Sequence, residues 1–208
     1  MKIKVCGMRD PQNIRAVEAL GIDIMGFIFW PQSSRYAGEK PGYLPEKCLR
    51  AGVFVDAAQQ DILKAVAAFR LDIIQLHGHE TSGDVAALRK SVAGVNPAIT
   101  ITKSLAVAQV QDLEQAADYE SVCDAFLFDT KGELPGGNGS QFDWSLLENY
   151  KGRLRFLLSG GIGPGDADRV RAFLHPACAG IDLNSRFETA PGLKDVDSLK
   201  TFIEKLRQ

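Results

Sequence analysis

The 208-residue sequence lacks the long hydrophobic and basic stretches that mark membrane proteins and nucleic-acid-binding proteins. No apolar run reaches the roughly 18 residues that a membrane-spanning helix needs, and the first ten residues, MKIKVCGMRD, lack the apolar core of a signal peptide. Lysine and arginine are scattered and the net charge is -2, which argues against nucleic acid as a partner. We therefore expect a cytoplasmic protein that binds small molecules, without nucleic-acid or membrane partners.

Cysteine and histidine are too few and too dispersed to indicate a metal site. The four cysteines form no CxxC motif, no zinc-binding Cys/His spacing and no disulfide framework. They are Cys6, Cys48, Cys123 and Cys178. Only three histidines are present. We expect four free thiols and no metal.

Short apolar segments alternate regularly with helical ones along the whole chain. Eight units of roughly 25 residues predict an α/β fold with a parallel sheet, because buried parallel strands have short, continuous apolar sequences. The predicted strands cover 3–6, 24–29, 51–55, 72–76, 98–102, 125–128, 154–158 and 180–183. The predicted helices cover 11–20, 45–50, 59–69, 84–91, 107–117, 144–150, 164–173 and 196–206.

Eight strand and helix units favour a closed barrel, so we expect residues 1–208 to form one (β/α)8 TIM-barrel domain. The alternative is an open, doubly wound sheet. The first predicted strand is not followed by the Rossmann motif GxGxxG, which argues against that alternative. A chain of this length can build a core without a partner, so a monomer suffices, although the sequence leaves the oligomeric state open.

A glycine-rich stretch follows the sixth predicted strand. Asp129 stands at the end of that strand, and three of the four residues at 136–139 are glycines. Glycine backbones can approach an anion closely and adopt positive φ without strain, so this loop suits a phosphate. Asp143 is expected to cap a helix that starts near Trp144. Taken alone, the stretch would more simply be an ordinary strand, loop and capped helix.

If the barrel is correct, the functional side chains lie where its strands end. The loops after strands seven and eight of such barrels commonly bind phosphate through backbone N–H groups and a short helix N-terminus. We therefore expect three loops to converge on one anion. Their candidate phosphate-binding residues are Gly137, Gly139, Gly160, Gly161, Asn184 and Ser185. The other candidates at strand ends are Cys6, Arg35, His77, Asp129 and Asp182.

A series of short motifs runs in order through residues 4–195. They are KVCG at 4–7, GFIF at 26–29, SSRY at 33–36, GVFV at 52–55, QLHG at 75–78, GGNG at 136–139, FDW at 142–144, LSGG at 158–161, GID at 180–182 and PGLKD at 191–195. Together with Asp129 and Glu188, this series resembles the phosphoribosylanthranilate isomerase family of tryptophan biosynthesis. Other phosphate-binding barrels share the SGG element, but not the cysteine of strand one combined with the GGNG and FDW motifs.

The resemblance implies an Amadori rearrangement, in which the aminoaldose N-(5-phosphoribosyl)anthranilate becomes a 1-amino-1-deoxyribulose phosphate. This chemistry needs an acid for the ring oxygen and a base for the C2 proton, but neither a metal nor an organic cofactor. The resemblance makes Asp129 the acid and Cys6 the base. We expect burial to raise the pKa of Asp129. Without the resemblance, Cys6 would be interpreted as a small buried apolar residue.

The resemblance also implies substrate contacts for Arg35, Asp182 and His77. Arg35 would bind the anthranilate carboxylate, Asp182 would lie near the sugar hydroxyls, and His77 would orient its neighbours. The simpler alternatives are a solvated loop arginine, an aspartate that accepts from a backbone N–H, and a histidine at the rim of the core. Arg186 stands where the family usually has glycine, so it either reshapes the phosphate loop or adds a cation there.

Two other functions remain open on the sequence. One is a different sugar-phosphate isomerase or epimerase on the same barrel, which would use paired carboxylates or metal-binding histidines. The other is a non-catalytic module that binds a phosphate ligand and tolerates the loss of Cys6 or Asp129. Both residues are present.

Overall fold

A computed structural model of the chain describes residues 1–130 and 143–208, and a closed barrel of eight parallel strands lies at its centre. The strands follow one another around the barrel in chain order, and the eighth pairs with the first. They are β1 (Lys2–Val5), β2 (Ile24–Ile28), β3 (Leu49–Phe54), β4 (Ile73–Leu76), β5 (Thr100–Val107), β6 (Ala125–Thr130), β7 (Arg155–Leu158) and β8 (Cys178–Leu183). The predicted (β/α)8 barrel is confirmed.

Helices connect most of the strands. The α-helices are α1 (Pro11–Glu18), α2 (Gln59–Phe69), α3 (Ser82–Ala93), α4 (Ala116–Tyr119), α5 (Ala167–Ala172) and α6 (Val196–Arg207). Short 3-10 helices cover Val110–Gln115, Trp144–Asn149 and Ser185–Phe187. The predicted cap at Asp143 is confirmed, since its side chain accepts from the N–H of Ser145. In the described part of the chain, no helix has the length and apolar character needed to cross a membrane.

The barrel interior holds both apolar and polar side chains. Ile24, Ala51, Leu127 and Leu157 form a separate buried cluster, contributed by β2 and β3 on one side and by β6 and β7 on the other. Side chains of such distant strands can meet only inside the barrel. Lys4 of β1 also extends into the interior, where its ammonium group meets the buried side chain of Gln75.

The predicted helix at 45–50 is wrong. Leu49 and Arg50 instead begin β3, where they pair with β2. Two N–H groups inside the predicted range donate to the buried carboxylate of Glu18 in α1, a tertiary contact that ties residues 46 and 47 to α1 in a non-helical conformation.

The boundary between β5 and the following helix also differs from the prediction. The predicted helix at 107–117 overlaps the end of β5, which continues to Val107 and pairs there with Thr130 of β6. A 3-10 helix, Val110–Gln115, and the single turn of α4 replace the predicted helix. The buried positions Leu105 and Val107 alternate with exposed Ala106, as a half-buried strand requires.

A small antiparallel hairpin after β8 was not predicted. It consists of β9 (Glu188–Ala190) and β10 (Leu193–Lys194). The turn between them contains Gly192 at φ 82°, a left-handed conformation that favours glycine. This hairpin places two charged side chains, Glu188 and Lys194, at the edge of the barrel mouth.

Candidate active site

The polar side chains singled out in the sequence lie at the carboxyl ends of the barrel strands. Cys6 directly follows β1, and its N–H donates to the carbonyl of Leu183 in β8 (2.9 Å). Asp129 and Asp182 stand near the ends of β6 and β8, and both are 8% exposed. His77 directly follows β4. Within residues 1–130 and 143–208, no three His, Cys, Asp or Glu side chains are grouped to hold a metal ion.

Lys4 joins two of these strand ends from inside the barrel. Its Nζ donates to Oδ2 of Asp182 and to Oε1 of Gln75, each at 2.8 Å. Burial alone would lower the pKa of Lys4, but the charge of Asp182, joined by that of Cys6 once its thiol ionises, outweighs burial and raises it. Lys4 is therefore a fixed positive charge. The other carboxylate oxygen of Asp182, Oδ1, is buried and accepts no hydrogen bond from the described residues.

Cys6 lies near two buried lysine side chains, Lys4 and Lys194. Burial lowers the pKa of Lys194, whereas the charge of Glu188 acts in the opposite direction. Burial raises the pKa of the Cys6 thiol, whereas the positive charges of Lys4 and Lys194 act in the opposite direction. The net shift is upward, so the thiol is protonated at neutral pH and two cations are available to stabilise its thiolate. Gly26 of β2 makes room for the sulfur, because a Cβ at that position would lie 2.7 Å from Sγ.

Burial outweighs the contacts that favour the charged form of Asp129, which come from Thr130, Ser159 and Lys4. Burial raises the pKa of Asp129 to about 6, although the N–H of Thr130 donates to Oδ1 (2.8 Å) and favours the charged form. The expected upward shift is therefore present. A carboxyl group with this pKa can hold a proton close to neutral pH and give it to a substrate.

His77 lies beside Asp129 as a neutral imidazole. Its Nε2 is 3.6 Å from Oδ2 of Asp129, but burial and the charges of Lys4 and Lys103 lower the pKa of His77 to about 3. The two groups are therefore not an ion pair. Nε2 of Gln75 lies 3.3 Å from Nδ1 of His77, and its oxygen is occupied by Lys4. Nδ1 then accepts from the amide, and the imidazole proton resides on Nε2, facing Asp129.

Arg35 is held at the barrel mouth by the hairpin β9–β10. Its Nε lies 2.9 and 3.0 Å from the two carboxylate oxygens of Glu188, and its Nη2 lies 2.7 Å from Oε2. Gly7, which follows Cys6, packs against Arg35, and a Cβ there would lie 2.8 Å from Cδ of Arg35 and 2.9 Å from Oδ1 of Asn184. The structure thus brings Arg35 next to the loop that carries Cys6.

The candidate phosphate-binding residues fall into two groups. Gly160 and Gly161 follow β7 with φ of 91° and 67°, and Asn184 and Ser185 follow the neighbouring strand β8. Adjacent parallel strands bring both loops to the same side of the barrel mouth. Gly137 and Gly139 lie outside the described residues. Arg186 reaches from the second loop to the first, where its Cδ is 3.3 Å from the position of a Cβ on Gly163.

Four buried side chains of this site had no predicted role: Lys4, Gln75, Glu188 and Lys194. Lys4, Gln75 and Lys194 belong to motifs that were recognised in the sequence, and Glu188 was recognised beside them as a single residue. Lys4 and Gln75 could have been found from a local signal, since each is a polar residue two positions before a candidate, Cys6 or His77, and shares its face of the strand. Glu188 and Lys194 gave no such signal, because their strands are only three and two residues long.

Comparison with known proteins gives one consistent result. Residues 3–205 match the family model described as N-(5'phosphoribosyl)anthranilate (PRA) isomerase. An N-(5'-phosphoribosyl)anthranilate isomerase of Phocaeicola vulgatus is 50% identical over 208 residues, covering 100% of this chain and 98% of the relative.

Solved structures agree with this match. The phosphoribosyl anthranilate isomerase of Thermotoga maritima superposes with a TM-score of 0.80 at 32% identity, covering 100% of this chain and 98% of that one. A phosphoribosyl anthranilate isomerase in complex with reduced 1-(o-carboxyphenylamino)-1-deoxyribulose 5-phosphate has a TM-score of 0.79 at 30% identity, with the same coverage.

Proposed function

Because this chain belongs to the N-(5'-phosphoribosyl)anthranilate isomerase family, we propose that Asp129 and Cys6 are the general acid and general base of its reaction. The chain is an isomerase of tryptophan biosynthesis, and it converts N-(5'-phosphoribosyl)anthranilate from an aminoaldose into the corresponding aminoketose. The observation that most directly supports the assignment is the buried carboxyl of Asp129, whose pKa is raised to about 6.

The first step opens the ribose ring. Asp129 donates its proton to the ring oxygen, the bond from C1 to that oxygen breaks, and the nitrogen lone pair forms an iminium ion at C1. Burial keeps part of the Asp129 carboxyl population protonated near neutral pH. His77, neutral and with its proton on Nε2, orients the carboxyl and stabilises the carboxylate left after proton transfer.

The second step moves a proton away from C2. Cys6 as thiolate removes this proton, the electron pair flows into the iminium, and an enolamine results. The hydroxyl of C2 then loses its proton while C1 gains one, which gives the ketone without net gain or loss of atoms. The positive charges of Lys4 and Lys194 lower the free energy needed to ionise the thiol, and the positive iminium lowers it further. Oδ1 of Asp182 is available to accept from a sugar hydroxyl.

The two ends of the substrate would be held by separate groups. Arg35 would bind the anthranilate carboxylate, because a guanidinium matches a carboxylate with two parallel N–H groups. The backbone N–H groups near Gly160, Gly161, Asn184 and Ser185 would bind the phosphate, together with Gly137 and Gly139 from the loop after β6. In this proposed arrangement the sugar would lie between them, over Cys6 and Asp129.

The acid and base roles are tested with substrate generated in solution and followed by loss of its fluorescence. Asp129→Asn and Cys6→Ser should each lower kcat by at least about a hundredfold, a typical contribution of general acid–base catalysis. Two variants serve as matched controls and should retain wild-type rates. Asp118→Asn changes an exposed residue of α4, and Cys178→Ser changes the first residue of β8.

A binding measurement completes this test. Asp129→Asn should still bind the reduced product analogue, because the amide keeps the shape and the hydrogen bond from Thr130. Asp129→Asn with wild-type turnover would overturn the assignment of the acid. Cys6→Ser with wild-type turnover would do the same for the base.

We further propose that the enzyme is a cytoplasmic monomer. All four cysteines are free thiols, which suits a reducing compartment, and a core of buried residues from every strand needs no second copy. Light scattering at micromolar protein concentration should give the mass of one chain, and a dimer mass would contradict the proposal.

A further inference from the structure

We propose that Glu188 is a positioning residue that holds one edge of the Arg35 guanidinium and thereby presents its other edge to the carboxylate of the aromatic acid. The proposal rests on the proposed role of Arg35 and adds a second residue that determines specificity for an acidic aromatic group. It is based on the hydrogen bonds, the charges and the anchoring of the hairpin β9–β10.

The hydrogen bonds leave one defined edge of Arg35 open. A guanidinium has five N–H donors in one plane, and Glu188 contacts the edge formed by Nε and Nη2. Within residues 1–130 and 143–208, Nη1 donates no hydrogen bond. The edge formed by Nη1 and Nη2 therefore retains two parallel N–H groups, which is the geometry that binds a second carboxylate bidentately.

A second cation keeps this edge electrostatically attractive. Nζ of Lys194, whose side chain is fully buried, donates to Oε1 of Glu188 (2.5 Å) and to Oδ1 of Asn184 (2.7 Å). Burial would raise the pKa of Glu188, but Arg35 and Lys194 hold it below its ordinary value, so Glu188 is a carboxylate. With Lys194 protonated, the three side chains carry one net positive charge. A substrate carboxylate is therefore attracted, although Arg35 already has an acidic partner.

The position of Glu188 is itself fixed. Glu188 and Lys194 are cross-strand partners in the hairpin, and the N–H of Gly192 in its turn donates to Oε1 of Glu188 (3.1 Å). Asn13 of α1 binds the backbone of Lys194 on both sides, accepting from its N–H (2.8 Å) and donating to its carbonyl (2.9 Å). Arg35 is thus oriented before substrate arrives, which reduces the entropy lost on binding.

The experiment compares two ligands that differ only in the carboxyl group. The probes are reduced 1-(o-carboxyphenylamino)-1-deoxyribulose 5-phosphate and the same compound with hydrogen in place of the carboxyl. Wild type should bind the carboxylate probe at least about tenfold more tightly. Glu188→Gln should reduce this preference about tenfold while changing the affinity for the second probe less than about twofold. In turnover, KM should rise more than kcat falls.

Two further variants separate the possible explanations. Glu120→Gln breaks a Glu–Arg contact with Arg153 away from the barrel mouth, and it should leave the ligand preference unchanged. Glu188→Asp keeps the charge on a shorter side chain and should show an intermediate preference, which also covers the case in which Glu188→Gln fails to fold. Equal weakening of both probes in these Glu188 variants would mean a merely structural role and would overturn the proposal.

Arg35→Ala distinguishes failure of this proposal from failure of the function on which it rests. Loss of the carboxylate preference in Arg35→Ala, but not in the Glu188 variants, would reject Glu188 and leave the role of Arg35 intact. An unchanged preference in Arg35→Ala would reject the assigned role of Arg35 and, with it, the positioning role of Glu188.

Discussion

Lys4 and Gln75 belong to strands that are three positions apart around the barrel, and their side chains meet inside it at 2.8 Å. This contact assigns the amide orientation of Gln75, because only its oxygen can accept from an ammonium group. The amide nitrogen then faces Ser104 (3.1 Å) and His77 (3.3 Å). A continuous chain of polar contacts thus runs from Lys4, beside the proposed base, to His77, beside the proposed acid.

The first prediction concerns Gln75→Leu. The variant leaves Lys4 with one acceptor fewer and no longer selects the tautomer of His77, so kcat/KM should fall about tenfold. Unfolding free energy should fall by about 1–3 kcal/mol, because a buried donor is left unsatisfied. Steady-state rates and urea denaturation measure the two effects, and nitrogen chemical shifts of His77 report its tautomer.

Gln60→Leu is the control for this variant, since Gln60 is exposed on α2. It should match wild type in rate and in tautomer. An unchanged His77 tautomer in Gln75→Leu would show that the amide does not control the imidazole.

The sequence was sufficient to predict the barrel and to identify most of the residues of the candidate active site. Short apolar strands that alternate with helices are compatible with few fold architectures. A barrel brings the carboxyl ends of all its strands to one mouth. Cys6, Asp129 and Asp182 are far apart in the chain, yet this single rule placed them together. Their chemical roles came from the resemblance to a family and not from the spacing.

What the sequence could not predict depends on contacts between distant residues. The bonds of Lys4 with Gln75 and of Arg35 with Glu188 join positions 71 and 153 residues apart. A local pattern could single out Lys4 and Gln75 as candidates, but it could not show which residue each of them contacts. The helix wrongly predicted at 45–50 failed for the same reason, since the distant carboxylate of Glu18 binds backbone N–H groups there. Tertiary contacts override local propensity at each of these places.

A second prediction concerns the space around the thiol of Cys6. In Gly26→Ala, the new methyl group would lie 2.7 Å from Sγ and 3.1 Å from Cα of Cys6, so strand or thiol must move. We expect kcat to fall at least about tenfold and stability to fall by about 1–3 kcal/mol. Gly165→Ala is the matched control, because a Cβ there meets no atom within 4 Å. Equal, wild-type-like rates for both variants would show that the position of the thiol is not critical.

A third prediction concerns the arginine that replaces the glycine usual in the family. Arg186 lies on the 3-10 helix Ser185–Phe187, and its aliphatic stem packs against Gly163 in the neighbouring loop, so it connects the two loops that we propose to bind phosphate. Arg186→Gly should raise KM about three- to tenfold at low salt, and the difference should shrink as salt screens the exposed charge. Arg186→Lys keeps the positive charge, so its KM should stay close to that of wild type. The same KM for wild type and Arg186→Gly at low salt would remove Arg186 from phosphate binding.

The last prediction follows from the pKa of Asp129, which burial raises to about 6 in the folded protein from an ordinary value of 3.8. The folded state therefore holds the Asp129 proton more tightly than the unfolded state. The stability associated with this proton is complete below about pH 4 and is lost as the pH rises through about 6. Above that pH, folding has to bury an ionised carboxylate.

Asp129→Asn removes this cost while keeping the acceptor for Thr130. The variant should consequently be more stable than wild type at pH 8, by about 2–3 kcal/mol for a shift of this size, and the gain should disappear near pH 4. Urea denaturation of both proteins at the two pH values measures the difference. A gain independent of pH would mean that Asp129 is not the group with the raised pKa. Destabilisation at pH 8 would mean that the carboxylate is stabilised by the fold, contrary to its role as an acid.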